Sequence, residues 1–520
     1  MGFEQDNTYP MIEPTPELLN LGGGYKYSES AFDLEINQSP DCKNVYWRNG
    51  ALWQIDGSEK MDSDLITGAP DVTGLFDYGK ESTATHFTLV ATGNKVWYYS
   101  GGSYTDNTGA VTLTAGSQHF GLTFNDIFIG VTSSRDAPYK KDGTNNLAAL
   151  GGSPPSGKVL GRIGEFIVIG NTSAQPSYAY YCDPGNPESG WDKFWDVKSD
   201  DTQGLVAVGS LDQRTGFLFK EKTADRIEHL GGLSFQHDRG YLPVGIVAQG
   251  SLQKCTLKRE SRRIDVLIGL GEDGVYAFDS SKNPFIISDN IKFKFDRNNS
   301  ASWNRSYWSK AVAVYESARN WYWLFVPSHS STGNLDELWI CDLDRLSWWP
   351  CNPDASASIA MINDSNGFPQ VNVGGYDGYV RRFGMDIKNF DTVAIDSYFA
   401  TKVIDFKKTV RVRQFIPYAA QKGSWNLDFN FRWGLSQAAT SVDSLRLTTG
   451  GSLYGTGTYG TATYGDGRPM YKNLSALNYT GRYLQIKMGN ARVDENWNLL
   501  KAEIPARSLG GRVGEYRKSS

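Results

Sequence analysis

Hydrophobic residues in this chain come in pairs of short runs separated by polar turns, which is the pattern of β-hairpins. The clearest example is the segment 309–328. Its apolar runs, Ala311 to Tyr315 and Trp321 to Val326, flank the polar turn Glu316 to Asn320. Each run has the length of a strand, and successive side chains of a strand point to opposite faces of a sheet. The segment therefore predicts one complete antiparallel hairpin.

The same pattern recurs along more than half of the chain, at intervals of roughly 30 to 50 residues. Further copies lie at 87–99, 120–131, 159–169, 204–219, 266–278, 338–349 and 359–380. Such a recurrence predicts an array of small antiparallel sheets, and a β-propeller is the natural way to close that array. The residues that we expect to be buried between blades are Phe217, Phe219, Tyr276, Phe278, Trp321, Trp323 and Phe325.

Helical spacing of apolar residues is almost absent, so the fold class is all-β. We expect short helices at most at Pro16 to Asn20, Glu221 to Glu228 and Ala438 to Leu445. The composition agrees, because 13% of residues are aromatic and glycine occurs 56 times, whereas methionine occurs 7 times. Aromatic residues favour sheets, and glycine favours tight turns.

The segments before and after the hairpin array lack its repeating pattern, which predicts separate parts of the protein. Residues 1–41 are irregular and rich in proline and glycine, which predicts an extended N-terminal arm. We expect this arm to join the C-terminal platform domain. Residues 42–384 hold the array, that is, the β-propeller domain. Residues 385–520 contain longer strands, at 393–404, 410–419, 425–433, 483–488 and 496–505, and predict a C-terminal β-sandwich or platform domain.

A glycine- and tyrosine-rich segment, 450–467, lies inside the C-terminal domain. Tyr454, Tyr459 and Tyr464 recur in it every five residues. Two interpretations are open: a flexible surface loop, or a contact loop in which rigid tyrosine rings pack on a neighbouring molecule while glycine allows close approach.

Charge and cysteine content exclude several classes of protein. The net charge of −5 is spread along the chain and does not indicate a basic nucleic-acid-binding face. Five scattered cysteines without a Cys-x-x-Cys pair indicate reduced thiols in a cytoplasm. The N-terminus has no apolar signal core, and no run reaches the ~18 apolar residues of a transmembrane helix, so we expect no membrane insertion.

Motifs of catalysis or ligand binding are weak. Gly269 to Gly274 matches a dinucleotide fingerprint, but a strand follows it where a phosphate-binding helix is needed, so we expect a hairpin turn. Asp342 to Asp344 and Asn363 to Gly367 resemble parts of calcium loops but lack the final glutamate, which favours turns. The five histidines are isolated in sequence. We therefore expect no catalytic residue, no cofactor and no metal. The alternative is that tryptophans stack on sugars, and the candidates are Trp191, Trp195, Trp321, Trp323, Trp348 and Trp349.

Several sequence segments together carry a resemblance to a known family. They include Leu21 to Tyr25, Ser39 to Leu52, Thr202 to Ser210, Arg319 to Pro327 and Gly481 to Ile486. These segments resemble the nozzle, or tail tubular protein B, family of short-tailed bacteriophages. The resemblance covers nearly the whole chain. The family often has Arg-Pro-Gly before the first blade, whereas Gln54 to Gly57 stands here.

The resemblance implies a structural virion protein that is assembled in the host cytoplasm and forms the distal tube of the tail. It implies a homo-hexameric ring docked on the head-to-tail adaptor, with propellers to which tail fibres or spikes attach. Genomic DNA would be retained by the ring and would pass through its lumen without sequence-specific binding. The alternatives are another tail component, such as a stopper or fibre base, and a glycan-binding or glycan-hydrolysing propeller.

Overall fold

The computed structural model describes residues 17–18, 20–27, 30–68, 70–83, 85–197, 202–259, 262–364, 366–420, 422–423, 425–434, 441–447, 470–471 and 479–508. The chain divides into two compact units. One is Asp56–Val393, and the other combines Met1–Ile55 with Ala394–Ser520.

Strands are numbered in chain order over these residues. The strands before residue 56 are β1 Glu17–Leu18, β2 Gly24–Tyr25, β3 Gln38–Ser39, β4 Asp41–Lys43, β5 Val45–Arg48 and β6 Ala51–Gln54. The strands of the central unit are β7 Gly57–Lys60, β8 Val72–Lys80, β9 Thr85–Thr92, β10 Lys95–Ser100, β11 Ser103–Asp106, β12 His119–Phe124, β13 Ile127–Thr132, β14 Tyr139–Asp142, β15 Ala148–Ala149, β16 Gly157–Ile163, β17 Phe166–Thr172, β18 Tyr178–Tyr181, β19 Lys193–Asp196, β20 Ala207–Ser210, β21 Thr215–Phe219, β22 Ala224–Gly231, β23 Ser234–Leu242, β24 Gln253–Arg259, β25 Arg262–Leu270, β26 Val275–Phe278, β27 Phe285–Ile286, β28 Val312–Glu316, β29 Trp321–Val326, β30 Glu337–Asp342, β31 Ser347–Cys351, β32 Ser356–Asn363, β33 Pro369–Gly375, β34 Val380–Gly384 and β35 Asn389–Phe390. The remaining strands are β36 Val393–Ala394, β37 Ser397–Ala400, β38 Ile404–Val412, β39 Ile416–Ala419, β40 Asn426–Trp433, β41 Ser441–Arg446, β42 Met470–Tyr471, β43 Tyr479–Asn490, β44 Asn498–Leu499, β45 Lys501–Glu503 and β46 Ala506–Ser508. Four short 3-10 helices are Glu81–Thr83, Gln249–Ser251, Asp289–Phe295 and Arg305–Lys310.

The central unit consists of four-stranded antiparallel sheets that follow one another along the chain. Blades 1 to 6 are β8–β11, β12–β15, β16–β19, β20–β23, β24–β27 and β28–β31, and blade 7 is β32–β34 with β7. The first strand of each blade contacts the first strand of the next, and β32 of blade 7 contacts β8 of blade 1. The sheets therefore close into a ring. This unit is a seven-bladed β-propeller.

Blade 7 takes its fourth strand from the beginning of the unit. Strand β7 pairs antiparallel with β34, with Lys60 opposite Arg381 and Gly57 opposite Gly384. The Gly57 N–H donates to the carbonyl oxygen of Ile387 at 2.9 Å. A Cβ atom at Gly57 would collide with the carbonyl oxygen of Asn389, so only glycine fits there. The first and last strands of the propeller are thus held together.

Hydrophobic side chains fill the spaces between neighbouring blades. Every residue of β29 is buried, because a blade inside the ring packs against a neighbour on both faces. Its sequence is accordingly a continuous apolar run instead of an alternating one. One of the clusters combines Phe166, Tyr181 and Trp195 of blade 3 with Leu218 and Ile227 of blade 4.

The second unit is built around β43, a strand of twelve residues. It pairs with β37, β38 and β40. Buried and partly exposed residues alternate along β40 and the second half of β43, so one face of the sheet is buried, with Phe429, Phe431, Leu484, Ile486 and Met488 in the core. Strand β1 pairs with β45, and β6 pairs with β5 and β44.

The all-β fold and the hairpin array predicted from the sequence are confirmed. Each of the eight predicted hairpins is a strand pair within one blade. The unit boundaries differ from the predicted boundaries at residues 41/42 and 384/385. Strands β4 to β6 belong to the second unit because they pair with β37 and β44, and the segment up to Val393 belongs to the propeller.

The three short helices expected from the sequence are wrong. Glu17–Leu18 pairs with β45, Ala224–Gly231 is the third strand of blade 4, and Ser441–Arg446 pairs with β40. Helices of only a few residues are unstable alone because nucleation is costly. Pairing with a neighbouring strand supplies their backbone hydrogen bonds instead.

Candidate functional site

The seven residues expected between blades are all buried. Phe217 and Phe219 of blade 4 share one hydrophobic cluster with Tyr276 and Phe278 of blade 5. The structure therefore brings these four together across a blade interface. In blade 6, the Trp323 ring lies 5.2 Å from the Phe383 ring of blade 7. The remaining members of the set, Trp321 and Phe325, lie on the same face of β29 as Trp323.

The tyrosines of the glycine-rich segment lie outside the described residues. This applies to Tyr454, Tyr459 and Tyr464, and the interpretation of 450–467 as a contact loop stays a prediction.

An axial cavity of about 360 Å³ runs between the first strands of the blades. Its lining includes residues of β8, β12, β16, β20, β24, β28 and β32, one strand from every blade. Among the described lining residues, the ionisable side chains are those of Asp77 and His119. The wall is otherwise made of apolar, glycine, hydroxyl and amide residues, so its surface carries little charge.

His119 is held neutral by its surroundings. Burial is the largest influence and lowers its pKa to about 4, although the negative charge of Asp136 acts in the opposite direction. Its Nδ1 atom lies 2.9 Å from the hydroxyl oxygen of Tyr139. At neutral pH the uncharged imidazole is a buried hydrogen-bonding partner of Tyr139 within blade 2.

A second, larger recess adjoins the axial cavity. Asp77 and Thr123 line both spaces, and the recess also includes Lys80, His86 and Arg162. The recess has a volume of about 1230 Å³. Its surface is charged, in contrast to the wall of the axial cavity.

A histidine–carboxylate pair, His86 and Asp77, lines this recess. His86 Nδ1 lies 3.1 Å from Asp77 Oδ1, and the Asn363 side-chain amide donates to Asp77 Oδ2 at 3.0 Å. These contacts join blade 1 to blade 7. In the sequence His86 is isolated from other candidate residues. The missed signal is the hairpin register, because Gly79 faces His86 across β8 and β9, which places Asp77 nearby on the same face.

Ion pairs lie beside both strands that close the ring, β34 and β7. Arg381 of β34 contacts Asp377 at 2.5 Å and Asp391 at 3.0 Å, and its guanidinium is buried. At the entrance to β7, Asp56 binds Arg319, which also contacts Glu316 at 3.0 Å. Both ends of the propeller chain are thereby attached to blades 6 and 7.

The segments that resemble calcium loops form turns. The Asp342 carboxylate accepts from the Asp344 N–H and from Arg345, and burial raises its pKa. Asp364 Oδ1 accepts from the backbone N–H groups of Asn366 and Phe368. Within the described ranges, no group of three or more His, Cys, Asp or Glu residues could hold a metal ion.

The other sequence motifs also have structural roles. The Gly269–Gly274 segment contains the turn between β25 and β26, in which the Gly271 N–H donates to the Gly274 carbonyl oxygen at 2.8 Å. All five cysteines are buried, and none of them forms a disulfide. No helix among the residues described here has the length and apolar character needed to cross a membrane.

Comparisons with known proteins give similarities of fold. No protein-family model and no curated protein sequence matches the chain. Virginiamycin B lyase from Staphylococcus aureus is 7% identical, with a TM-score of 0.41 over 63% of this chain and 99% of that one. YCF48 bound to D1 peptide is 10% identical, with a TM-score of 0.39 over 66% and 97%.

The extracellular domain of a putative hybrid two-component system from B. thetaiotaomicron is also similar. It is 11% identical, with a TM-score of 0.40, over 75% of this chain and 47% of that domain, so the chain spans less than half of its length. At such low identities the likeness is one of architecture alone.

Proposed function

We propose that this chain is a structural component of the tail of a short-tailed bacteriophage, namely the nozzle at the distal end of the tail tube. In this role it forms a homo-hexameric ring on the head-to-tail adaptor, retains the genome and conducts DNA during ejection. Tail fibres or spikes attach to its propellers. The chain has no enzymatic activity and needs no cofactor or metal.

The observation that carries the proposal is the way in which the chain is assembled. The propeller, Asp56–Val393, is inserted in the chain between the two segments that make up the second β-unit. Such a construction suits an architectural part, because the chain passes between the two units twice. The phrases shared with the nozzle family extend over both units and support the same role.

The tryptophans considered for sugar binding favour this role over a lectin-like one. Trp191, Trp195, Trp321, Trp323, Trp348 and Trp349 are all buried. A buried indole ring cannot stack on a sugar from solution. The alternative of another tail component, such as a stopper or fibre base, shares the architectural role and differs only in position within the particle.

Electron cryo-microscopy of particles that contain this chain tests the proposal. We expect six copies around the tail axis, next to the adaptor. A ring of another symmetry would contradict the nozzle assignment, and a position elsewhere in the tail would favour the stopper or fibre base. A depolymerase assay on host-surface glycan is expected to give no product. Measurable cleavage would contradict the non-enzymatic role.

The glycine- and tyrosine-rich segment gives a second test in the particle. Changing Tyr454, Tyr459 and Tyr464 together to serine is expected to reduce assembly or genome retention, because tyrosine rings supply contact area at low entropic cost. Fully infectious, DNA-filled particles from this variant would show that the segment makes no essential contact.

A further inference from the structure

The β24–β25 hairpin of blade 5 projects beyond the rest of its blade. Residues 267–270 of β25 pair with β26, whereas residues 262–266 pair with β24 alone. Five successive residue pairs, from Cys255 with Val266 to Arg259 with Arg262, therefore form a two-stranded ribbon. At ~3.4 Å per residue the ribbon is about 17 Å long. Cys255 and Leu257, which share one face of the ribbon, are buried, so the exposed tip consists of the outer two pairs.

The tip of this ribbon carries four cationic residues in two cross-strand pairs. Lys258 lies opposite Arg263, and Arg259 lies opposite Arg262. All four residues are exposed. Successive residues of a strand point to opposite faces, so each face of the ribbon carries one cationic pair. Like charges directly opposite each other destabilise a hairpin, which indicates a role outside the stability of the fold.

Neighbouring carboxylates neutralise these charges only in part. Arg259 lies 3.8 Å from Asp279, and Arg263 lies 3.8 Å from Asp344, both beyond hydrogen-bond distance. Within the described part of the chain, Lys258 and Arg262 have no carboxylate at ion-pair distance. The sequence between them adds one acidic residue, Glu260, against four cations. The tip therefore keeps a net positive charge on a chain whose overall charge is negative.

We propose that this ribbon, residues 255–259 and 262–266, binds the backbone of double-stranded DNA without reading its sequence. The major groove of DNA admits a two-stranded β-ribbon. Phosphates line both walls of the groove, and the ribbon presents a cationic pair to each wall. Arginine binds phosphate through two parallel N–H groups, which suits the three arginines of the tip.

The two-sided arrangement favours DNA over an acidic protein segment. A peptide strand lying along one face would neutralise one pair and leave the other exposed. A groove between two phosphate backbones neutralises both pairs at once. This inference deepens the proposed function, since a tail conduit carries duplex DNA, but it is tested on the purified chain and does not need the particle.

The test measures binding of the full-length protein to a fluorescent 20-base-pair duplex by anisotropy, between 50 and 200 mM NaCl. With three to four phosphate contacts, affinity should fall on the order of 100-fold over this range. The test variant replaces the four tip cations by glutamine: K258Q, R259Q, R262Q and R263Q. The control removes the same charge from four dispersed, exposed positions of the propeller: K222Q, R239Q, R297Q and R345Q.

The tip variant is expected to bind at least about tenfold more weakly at 100 mM NaCl and to lose most of its salt dependence, whereas the control changes affinity by less than about threefold. Thermal unfolding of both variants checks that the propeller is intact. Equal loss in the two variants would overturn the inference, because general charge would then explain binding. Tighter binding of the parent to poly-glutamate than to DNA would also overturn it.

The result is separable from the fate of the nozzle proposal. If the tip binds DNA but the chain is absent from a tail ring, the nozzle proposal fails and the DNA contact stands. If particles show the ring but the purified tip variant binds DNA as the parent does, the contact fails and the nozzle stands.

Discussion

At the scale of single residues, Trp323 shows how much one side chain stabilises the ring. It is 1% exposed, its indole N–H donates to Glu316 Oε2 at 3.0 Å, and its ring packs on Phe383 of the next blade. Trp323→Ala should lower the free energy of unfolding by about 3–5 kcal/mol, measured by urea denaturation. Phe368→Ala is the control, because Phe368 is 66% exposed and its loss should change stability by less than about 0.5 kcal/mol. Identical unfolding curves for Trp323→Ala and the parent would contradict this role of the indole.

His119 predicts a specific dependence of stability on pH. Its pKa is about 4 in the folded chain, below the ~6.5 of an unfolded histidine, because burial disfavours the charged imidazolium. Above pH ~6.5 the residue is neutral in both states. As the pH falls from ~6.5 to ~4 the unfolded state binds a proton first, so stability decreases by about 3 kcal/mol.

The measurement compares urea unfolding at pH 7.0 and pH 4.5. His119→Gln should lose less stability than the parent over this interval, because the imidazole that must stay neutral is gone. His86→Gln is the matched control at an exposed histidine beside Asp77 and should follow the parent. A loss in His119→Gln equal to that of the parent would show that other groups govern the acid response.

At the scale of elements, the hairpins could be predicted because both of their strands lie within one short window. In β28 and β29 the apolar runs and the polar turn alone define the pair. The strand Ala224–Gly231 could not be told from a helix, because its mixed sequence lacks clear alternation and its partner β21 decides the outcome. The seven interior aromatic residues could be chosen from the runs themselves. The Asp77–His86 contact could be predicted only from the register of β8 with β9, and the sequence alone does not determine that register.

The pairing of β34 with β7, which closes the ring, depends on one buried arginine in β34. Arg381 is 7% exposed and contacts Asp377, Asp391 and Asp354. Arg381→Met removes a buried cation and leaves the partly exposed Asp391 carboxylate with Lys60 as its remaining ion-pair partner, so the free energy of unfolding should fall by about 2–4 kcal/mol. In this variant, amide hydrogen exchange in β7 should become faster than in the parent before exchange in blades 2 to 5 does, because the β7–β34 pairing opens first.

The neighbouring residue supplies the control for this prediction. Arg382 also contacts β7, through Glu59, but its side chain is 33% exposed. Arg382→Met should cost less than about 1 kcal/mol, because exposed ion pairs contribute little. Equal costs for the two substitutions would show that the Arg381 cluster has no special part in closure.

At the scale of the whole molecule, the propeller should fold without its flanking segments. Residues 56–393 include every strand of the seven blades and both attachments of β7. A fragment of these residues should be monomeric and unfold in one cooperative transition, measured by size-exclusion chromatography and calorimetry. A fragment that begins at Met61 lacks β7 and leaves β34 as an open edge, so it should melt at lower temperature and aggregate. Equal behaviour of the two fragments would contradict the closure.

The number of blades and the way they close could not be predicted from the sequence. The segment Gly57 to Lys60 is short and polar, and nothing in its residues indicates a strand. Its partner β34 lies more than three hundred residues later, so no local pattern connects them. For the same reason, the two segments that form the second unit look like an arm and a separate domain when each is considered alone.

This separation has a consequence during synthesis on the ribosome. Strand β7 leaves the exit tunnel long before β34 exists, and at roughly 5–20 residues per second the interval is about 15 to 65 s. For that time the four-residue strand waits as an unpaired edge beside nascent blades that are completing their own sheets. Its brevity and its charged residues, Glu59 and Lys60, protect it from pairing with the wrong blade. The ring can close only after β34, Val380–Gly384, has been made, so the order of the strands along the chain sets the order of assembly.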